Sequence, residues 1–386
     1  MSKKWYFWLS LAMLISISLN LRAPINALGP MVESIKEHYG ISSATFGLLS
    51  AIPIVAFGSI SFVVSYFSNI KILFIALCAI ALGEITRSYG GIAGLFVGTA
   101  FIGAGIAVAN VLLPGFVKKK FPQKTTAMMA LYSFVLNLSS VLGIWLALPL
   151  AYNIGVPNAL AFWLIFSVLS IILYLPEIRN KRISRTKIRK KHTKSLMREL
   201  SAWKITIFFG LQGFLAYSTF AWLPAIIAHK GYGLEYGAKI LLYSQFVCVP
   251  VAFVGPLLLG VLREKYKSVY MAFLCSLFVV GYMCVLFGES EWAMYAAIVC
   301  IGIPMGGVFG LALLFISQKS SSVAVATKLS AMAQGFGYLI AASGPFIIGF
   351  LYDHFGSYTY GIALVLCVAF ALNLAGILAH KTKMIY

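Results

Sequence analysis

Apolar residues fill this chain in long runs, and its polar positions gather in short clusters between them. The runs cover roughly residues 6–32, 44–66, 72–87, 91–116, 125–151 and 158–175. After a basic interval they resume over 205–228, 236–262, 269–287, 292–316, 323–351 and 357–378. A bilayer core about 30 Å thick is crossed by about 20 helical residues, each rising about 1.5 Å. The pattern therefore predicts twelve transmembrane helices, the third being the shortest. The predicted fold is an all-α membrane protein with two six-helix bundles, residues 1–176 and 205–386, joined by a basic cytoplasmic linker over 177–204.

Composition agrees with a chain whose main solvent is lipid. Of its 386 residues 61% are hydrophobic and 10% charged, whereas soluble domains carry about 25% charged residues. So little chain lies outside the runs that no soluble catalytic or nucleic-acid-binding domain fits. The net charge of +20 then reflects topology, because Lys and Arg are retained on the cytoplasmic side of short loops. With the N-terminus inside, 24 of the 30 basic residues fall on cytoplasmic segments, and six of the ten acids (Glu33, Glu37, Glu235, Glu289, Glu291 and Asp353) fall outside. The stretch from Arg179 to Lys204 reads as a solvated linker touching anionic headgroups. Lys3 and Lys4 before the first run imitate a signal peptide, but no small-residue cleavage site follows, so the run is read as an uncleaved first helix. Cys78, Cys248, Cys275, Cys284, Cys300 and Cys367 all lie in apolar runs with no C-x-x-C pair, as small buried hydrophobes do. These features predict a multi-pass protein of the cell membrane, the inner membrane where there are two, with both termini cytoplasmic. They call for no cofactor and no metal.

The two halves share punctuation. Ala27-Leu28-Gly29-Pro30 followed by Tyr39-Gly40 is answered by Ala221-Trp222-Leu223-Pro224 followed by Tyr232-Gly233. Gly90, Gly94 and Gly98 are answered by Gly302, Gly306 and Gly310. Small residues four apart let helix backbones approach closely, and paired halves are how many transporters are built.

Specific motifs narrow this further. They are Asn20-Leu21-Arg22-Ala23-Pro24 and Gly29-Pro30-Met31-Val32 in the first span, and Asn110-Val111-Leu112-Leu113-Pro114-Gly115 in the fourth. The seventh carries Leu211-Gln212, and the eleventh Leu329-Ser330-Ala331-Met332-Ala333-Gln334 with Gly337-Tyr338 and Gly344-Pro345. On these the chain resembles the major facilitator superfamily over essentially its whole length, and within it the cyanate permease and nitroimidazole transporter branch. The superfamily's loop motif survives in decayed form at Gly260, Leu262, Glu264, Lys265 and Lys267. The resemblance implies secondary active transport of a small solute by two bundles rocking about a central site.

Ionisable groups inside hydrocarbon are costly and tend to face a cavity or a partner. Arg22 lies about 24 Å along the helix axis from Tyr6. Its planar fork suits a small oxyanion or carboxylate; the competing reading is a structural Arg bonded to carbonyls freed by Pro24 or paired with Glu84. Glu84 is the one carboxylate placed inside a predicted span, and Arg87, three residues on, makes an ordinary ion pair near the outer surface the leading reading for it. Proton coupling through Glu84 is the alternative. Lys328 and Lys239 are read as snorkelling to headgroups. Asn110, Asn137, Gln212, Tyr217, Gln245, Gln334 and Tyr338 fall away from helix ends, where such groups either bind helices together or contact substrate. The resemblance raises Gln212 and Gln334 among them, and Trp222 reads as an interfacial aromatic.

No histidine falls inside a run, and a single intramembrane carboxylate supplies no acid dyad, so a membrane enzyme lacks its residues. The expected activity is transport of a small anion such as cyanate, contacted by Arg22, with protons as a possible second partner and a monomer as the working unit. A small neutral heteroaromatic such as a nitroimidazole is the alternative cargo, and a membrane sensor on a transporter-like fold is the alternative from another class.

Overall fold

The computed structural model describes residues 3–41, 43–64, 70–179 and 196–386. Most of the basic interval, 180–195, and with it most of the expected cytoplasmic linker, lies outside the described residues. Two compact units form: residues 1–122, 135–193 and 322–331 make one, and residues 123–134, 194–321 and 332–386 the other.

The first unit draws on α1 (Lys3–Asn20), α2 (Ala23–Asn26), α3 (Val32–Tyr39), α4 (Ser43–Val64), α5 (Ile70–Tyr89), α6 (Gly91–Lys120), most of α7 (Thr125–Ile154), α8 (Val156–Ala161) and α9 (Leu164–Arg179). The second draws on α10 (Leu200–Ile227), a π-turn at Ala228–Tyr232, α11 (Leu234–Val261), α12 (Glu264–Phe287), α13 (Glu291–Gln318), most of α14 (Val323–Phe355) and α15 (Thr359–His380). Among the described residues eleven spans are long and apolar enough to cross a membrane. The stretch Leu48–Val64 of α4 is a shorter apolar helix that completes the set of twelve. The weakly marked third run is a full helix of 20 residues. The sixth span reaches Arg179, past the expected end of its apolar run, because the Glu177 carboxylate is buried there in an ion pair with Lys120 at 2.7 Å.

Both stripes of small residues seal helix pairs. A Cβ on Gly94 or Gly98 would collide with the backbone of Thr86 or Arg87, and one on Gly302 or Gly306 with the carbonyl of Ser244 or Cys248. Glycine there lets α6 lie against α5, and α13 against α11, backbone to backbone. The Gly337 to Gly344 motif serves the same end. Gly337 meets Phe209, and Gly344 meets Ser218 and Phe214, so α14 rests on α10.

The first apolar run is not one helix, as the pattern of residues 6–32 had predicted. α1 stops at Asn20, α2 is a single turn, and Ala27, Leu28, Met31 and Ile35 beyond it are buried with Ala147, Leu160 and Trp163. Proline supplies the reason. Pro24 has no N–H to return to Asn20, and its ring crowds the carbonyl four residues back.

Candidate functional site

Arg22 occupies the break itself, at φ −129° and ψ −44°, and is half-buried. The repair of the break explains why it persists. An unbroken helix would bond Ala23 N–H to Leu19 O; instead Ala23 N–H donates to Ser139 Oγ at 2.9 Å, and Ser139 donates to Leu19 O. A hydroxyl from α7 is thus spliced into the backbone ladder, one of the identifiable causes of a kink. Asn26 donates to Ser140 Oγ beside it. Gly143, one turn on, lets α7 touch the Ala23 backbone, since a Cβ there would stand 2.8 Å from Ala23 O. Asn137 is half-buried three residues before Ser140, on the same side of α7. Asn110 is buried on α6, which packs against both α1 and α2. The fold therefore gathers the helices that carry Arg22, Asn110 and Asn137 around one discontinuity.

Glu84 and Arg87 are both fully buried, and the expected ion pair near the surface is absent. The Arg87 guanidinium donates to two main-chain carbonyls, Pro24 O at 2.6 Å and Leu160 O at 3.1 Å, and its Nε–H has no partner. Neither Glu84 oxygen accepts a hydrogen bond. Ser167 lies beside the carboxyl, but its hydroxyl is committed to Asn20 Oδ1 at 3.1 Å, while Asn20 Nδ2 donates to Ser170 Oγ at 3.3 Å. Spacing three apart predicted that the two charges would be neighbours. It could not predict that carbonyls exposed by breaks in two other spans would compete for the guanidinium.

The second unit holds a separate group on α10, α13 and α14. Phe209, Tyr217 and Tyr338 surround one another edge to face, with Tyr338 centred 5.7 Å from Phe209 and 6.4 Å from Tyr217, and Phe309 centred 6.4 Å from Phe209. Gln212 and Gln334 are buried on the same two helices. The Gln212 amide has no hydrogen-bond partner among the described residues, whereas Gln245 on α11 leans on Met305 Sδ at 3.5 Å. Rings of this kind present flat apolar faces, and an unpaired amide offers one donor and one acceptor group beside them. Phe209 and Phe309 escaped sequence reasoning, because a Phe in an apolar run carries no signal of its own.

Other expectations fare variously. Lys239 is exposed and pairs with Glu235 at 2.8 Å one turn earlier, and Lys328 is half-buried in the first turns of α14. Trp222 is not a free interfacial ring: its Nε1–H donates to Pro345 O at 2.9 Å, pinning α10 to α14. All six cysteines carry free thiols. Among the described residues no three His, Cys, Asp or Glu side chains converge on a point that could hold a metal ion.

With this geometry in place, the sequence profile described as Major Facilitator Superfamily matches residues 9–342. The chain belongs to that superfamily. It is 31% identical to the 2-nitroimidazole transporter of Escherichia coli strain K12, with 97% of this chain and 95% of that one aligned. It is 27% identical to the cyanate transport protein CynX of the same organism over 93% and 94% of the two chains. The crystal structure of the E. coli fucose:proton symporter FucP superposes with a TM-score of 0.76 at 13% identity, over 98% of this chain and 99% of that one, which is a likeness of fold. A major facilitator transporter, multi-pass and not an enzyme, is thereby the identity of the molecule. The likeness to these two relatives puts the chain in the branch of nitroimidazole and cyanate transporters.

Proposed function

We propose that this transporter moves a small anion such as cyanate across the cytoplasmic membrane by alternating access, with Arg22 as the group that meets the charge. The observation that carries this reading is the place of Arg22 at a break in the first span. Interrupted helices in transporters commonly lie where solute binds, and a guanidinium there offers a charge-assisted fork to a planar anion. The likeness to a cyanate transport protein supports an anionic cargo. Gln212, Tyr217, Gln334 and Tyr338, with Asn110 and Asn137, are the neutral groups proposed to contact the solute.

The ring cluster of Phe209, Tyr217 and Tyr338 favours a second cargo, a neutral or weakly basic heteroaromatic, as does the likeness to a nitroimidazole transporter. On that reading Arg22 is structural. Uptake and efflux by the purified full chain in proteoliposomes separate the two, using labelled cyanate and 2-nitroimidazole with and without a proton gradient. Saturable cyanate movement that Arg22→Gln abolishes supports the first; 2-nitroimidazole movement indifferent to Arg22→Gln supports the second and removes the first.

A further inference from the structure

Glu84 and Arg87, one turn apart on α5, straddle the break that exposes Arg22. On the α1 side, Ser167 beside Glu84 holds Asn20, the last residue of α1. On the α2 side, Arg87 holds Pro24 O, two residues past Arg22. The same guanidinium grips Leu160 O next to the interruption between α8 and α9, so one side chain ties together the broken parts of two spans. Two main-chain carbonyls take donors from the guanidinium and leave its Nε–H without a partner, while the one acid nearby accepts no hydrogen bond at all.

A carboxylate ion buried from water with no hydrogen bond on either oxygen is costly, which favours the neutral acid. We propose that Glu84 is a proton-binding site of the transport cycle, and that Arg87 passes its charge state to the break in the first span. On proton loss the Glu84 O–H bond breaks, its electron pair stays on the carboxylate and the proton leaves to water. The new anion attracts the guanidinium, whose Nε–H is already free, at the expense of its hold on Pro24 O. The break then loosens, and with it the backbone that carries Arg22. Reprotonation returns the guanidinium to the two carbonyls. The ionisable groups that face this pair are few. On Glu84 there is Arg87 alone, and α6, α8 and α9, which pack against α5, bring no ionisable side chain to it among the described residues. On Arg87 there are Glu84 and Tyr39 of α3. The Tyr39 hydroxyl donates to Ser88 O at 3.3 Å, and burial raises the phenol above its ordinary range against the opposing pull of Arg87.

The link from this site to cargo rests on the assignment of Arg22 above, whereas the proton site does not, so the test uses no cargo. The full chain in lipid nanodiscs is titrated from about pH 5 to about pH 9 by infrared difference spectroscopy. In parallel, hydrogen–deuterium exchange follows the peptide spanning residues 19–28, corrected for intrinsic exchange. We expect a carboxylic-acid C=O band that titrates in the wild type and is missing from Glu84→Gln. Amides across the break should lose protection about tenfold as the band disappears, the scale of one hydrogen bond to a charged group. Glu84→Gln, which stays neutral, should show a flat exchange profile, and Arg87→Lys should keep the band but lose the linked change in exchange. An acid band unaltered in Glu84→Gln overturns the proton site. A wild-type exchange profile that ignores the titration overturns the link through Arg87, and that result needs no variant to fold.

Discussion

At Arg22 a charged side chain and a broken backbone coincide, and each makes the other tolerable. The half-buried guanidinium stands where the backbone leaves the helix, and on the proposed reading the break gains a cation to which an anion is drawn. Charge-assisted hydrogen bonds of this kind contribute about 1.5 to 3 kcal/mol, so their loss weakens binding roughly tenfold to a hundredfold. We expect Arg22→Gln to weaken cyanate binding by that factor in well-folded protein, and Arg22→Lys, which keeps the charge without the fork, to restore part of it. Equilibrium binding to purified protein of matched thermal stability checks this, and binding by Arg22→Gln within about twofold of the wild type, well short of the expected loss, would sink the anion site. Arg22 could be found from sequence because it stands beside Pro24 inside an apolar run. The environment of Arg87 could not, since its partners are the carbonyls of Pro24 and Leu160, and main-chain carbonyls have no residue signature.

Among the elements, length and type were legible from the apolar runs, and both glycine stripes were legible as faces of close approach. The interruption of the first span was not. Pro24 weakens the helix, but what holds the two ends in register is Ser139, a residue distant in sequence whose hydroxyl substitutes for one backbone bond. Ser139→Ala leaves the Ala23 N–H and the Leu19 carbonyl without that bridge, at about 1 to 3 kcal/mol for each group left unsatisfied. It should lower the thermal midpoint well below that of Ser59→Ala, whose hydroxyl bonds only to Val55 O on its own helix. Equal midpoints would mean the splice is not needed. The glycine stripes make a second demand. Gly306→Ala drives a methyl into the Cys248 carbonyl, whereas Gly29→Ala meets nothing nearer than Asn26 O at 3.9 Å. Overpacking costs about 1 to 3 kcal/mol, so the first variant should melt earlier than the second, as a thermal-shift assay in detergent can read.

For the whole molecule, the charge asymmetry read from sequence acquires a geometry inside each unit. In the first, Phe7 stacks edge to face on Phe121 at 5.4 Å and Lys120 pairs with Glu177, so the start of α1 and the ends of α6 and α9 share one end. That end carries Lys118, Lys119, Lys120 and Arg179. In the second, Lys319 donates to His380 O at 2.6 Å and to Thr382 O at 2.9 Å, which brings the ends of α13 and α15 together. The final residues are fastened there as well, through Ile385 N to Lys319 O at 2.8 Å. Each unit thus has a basic end, and burial pushes the Lys319 ammonium below its usual range by desolvation. The basic interval from Arg179 to Lys204 holds 11 Lys and Arg residues, and short loops rich in such residues stay on the cytoplasmic side during insertion. Reversal would carry all of them across, along with the lysines at the end of α6. We therefore expect a cysteine introduced as Ser195→Cys to resist a membrane-impermeant maleimide in intact cells and to react once the membrane is opened. In the same assay Glu289→Cys, between α12 and α13, should react without permeabilisation. Labelling of the first site in sealed cells, with the second protected, would invert the orientation and place both ends of the chain outside.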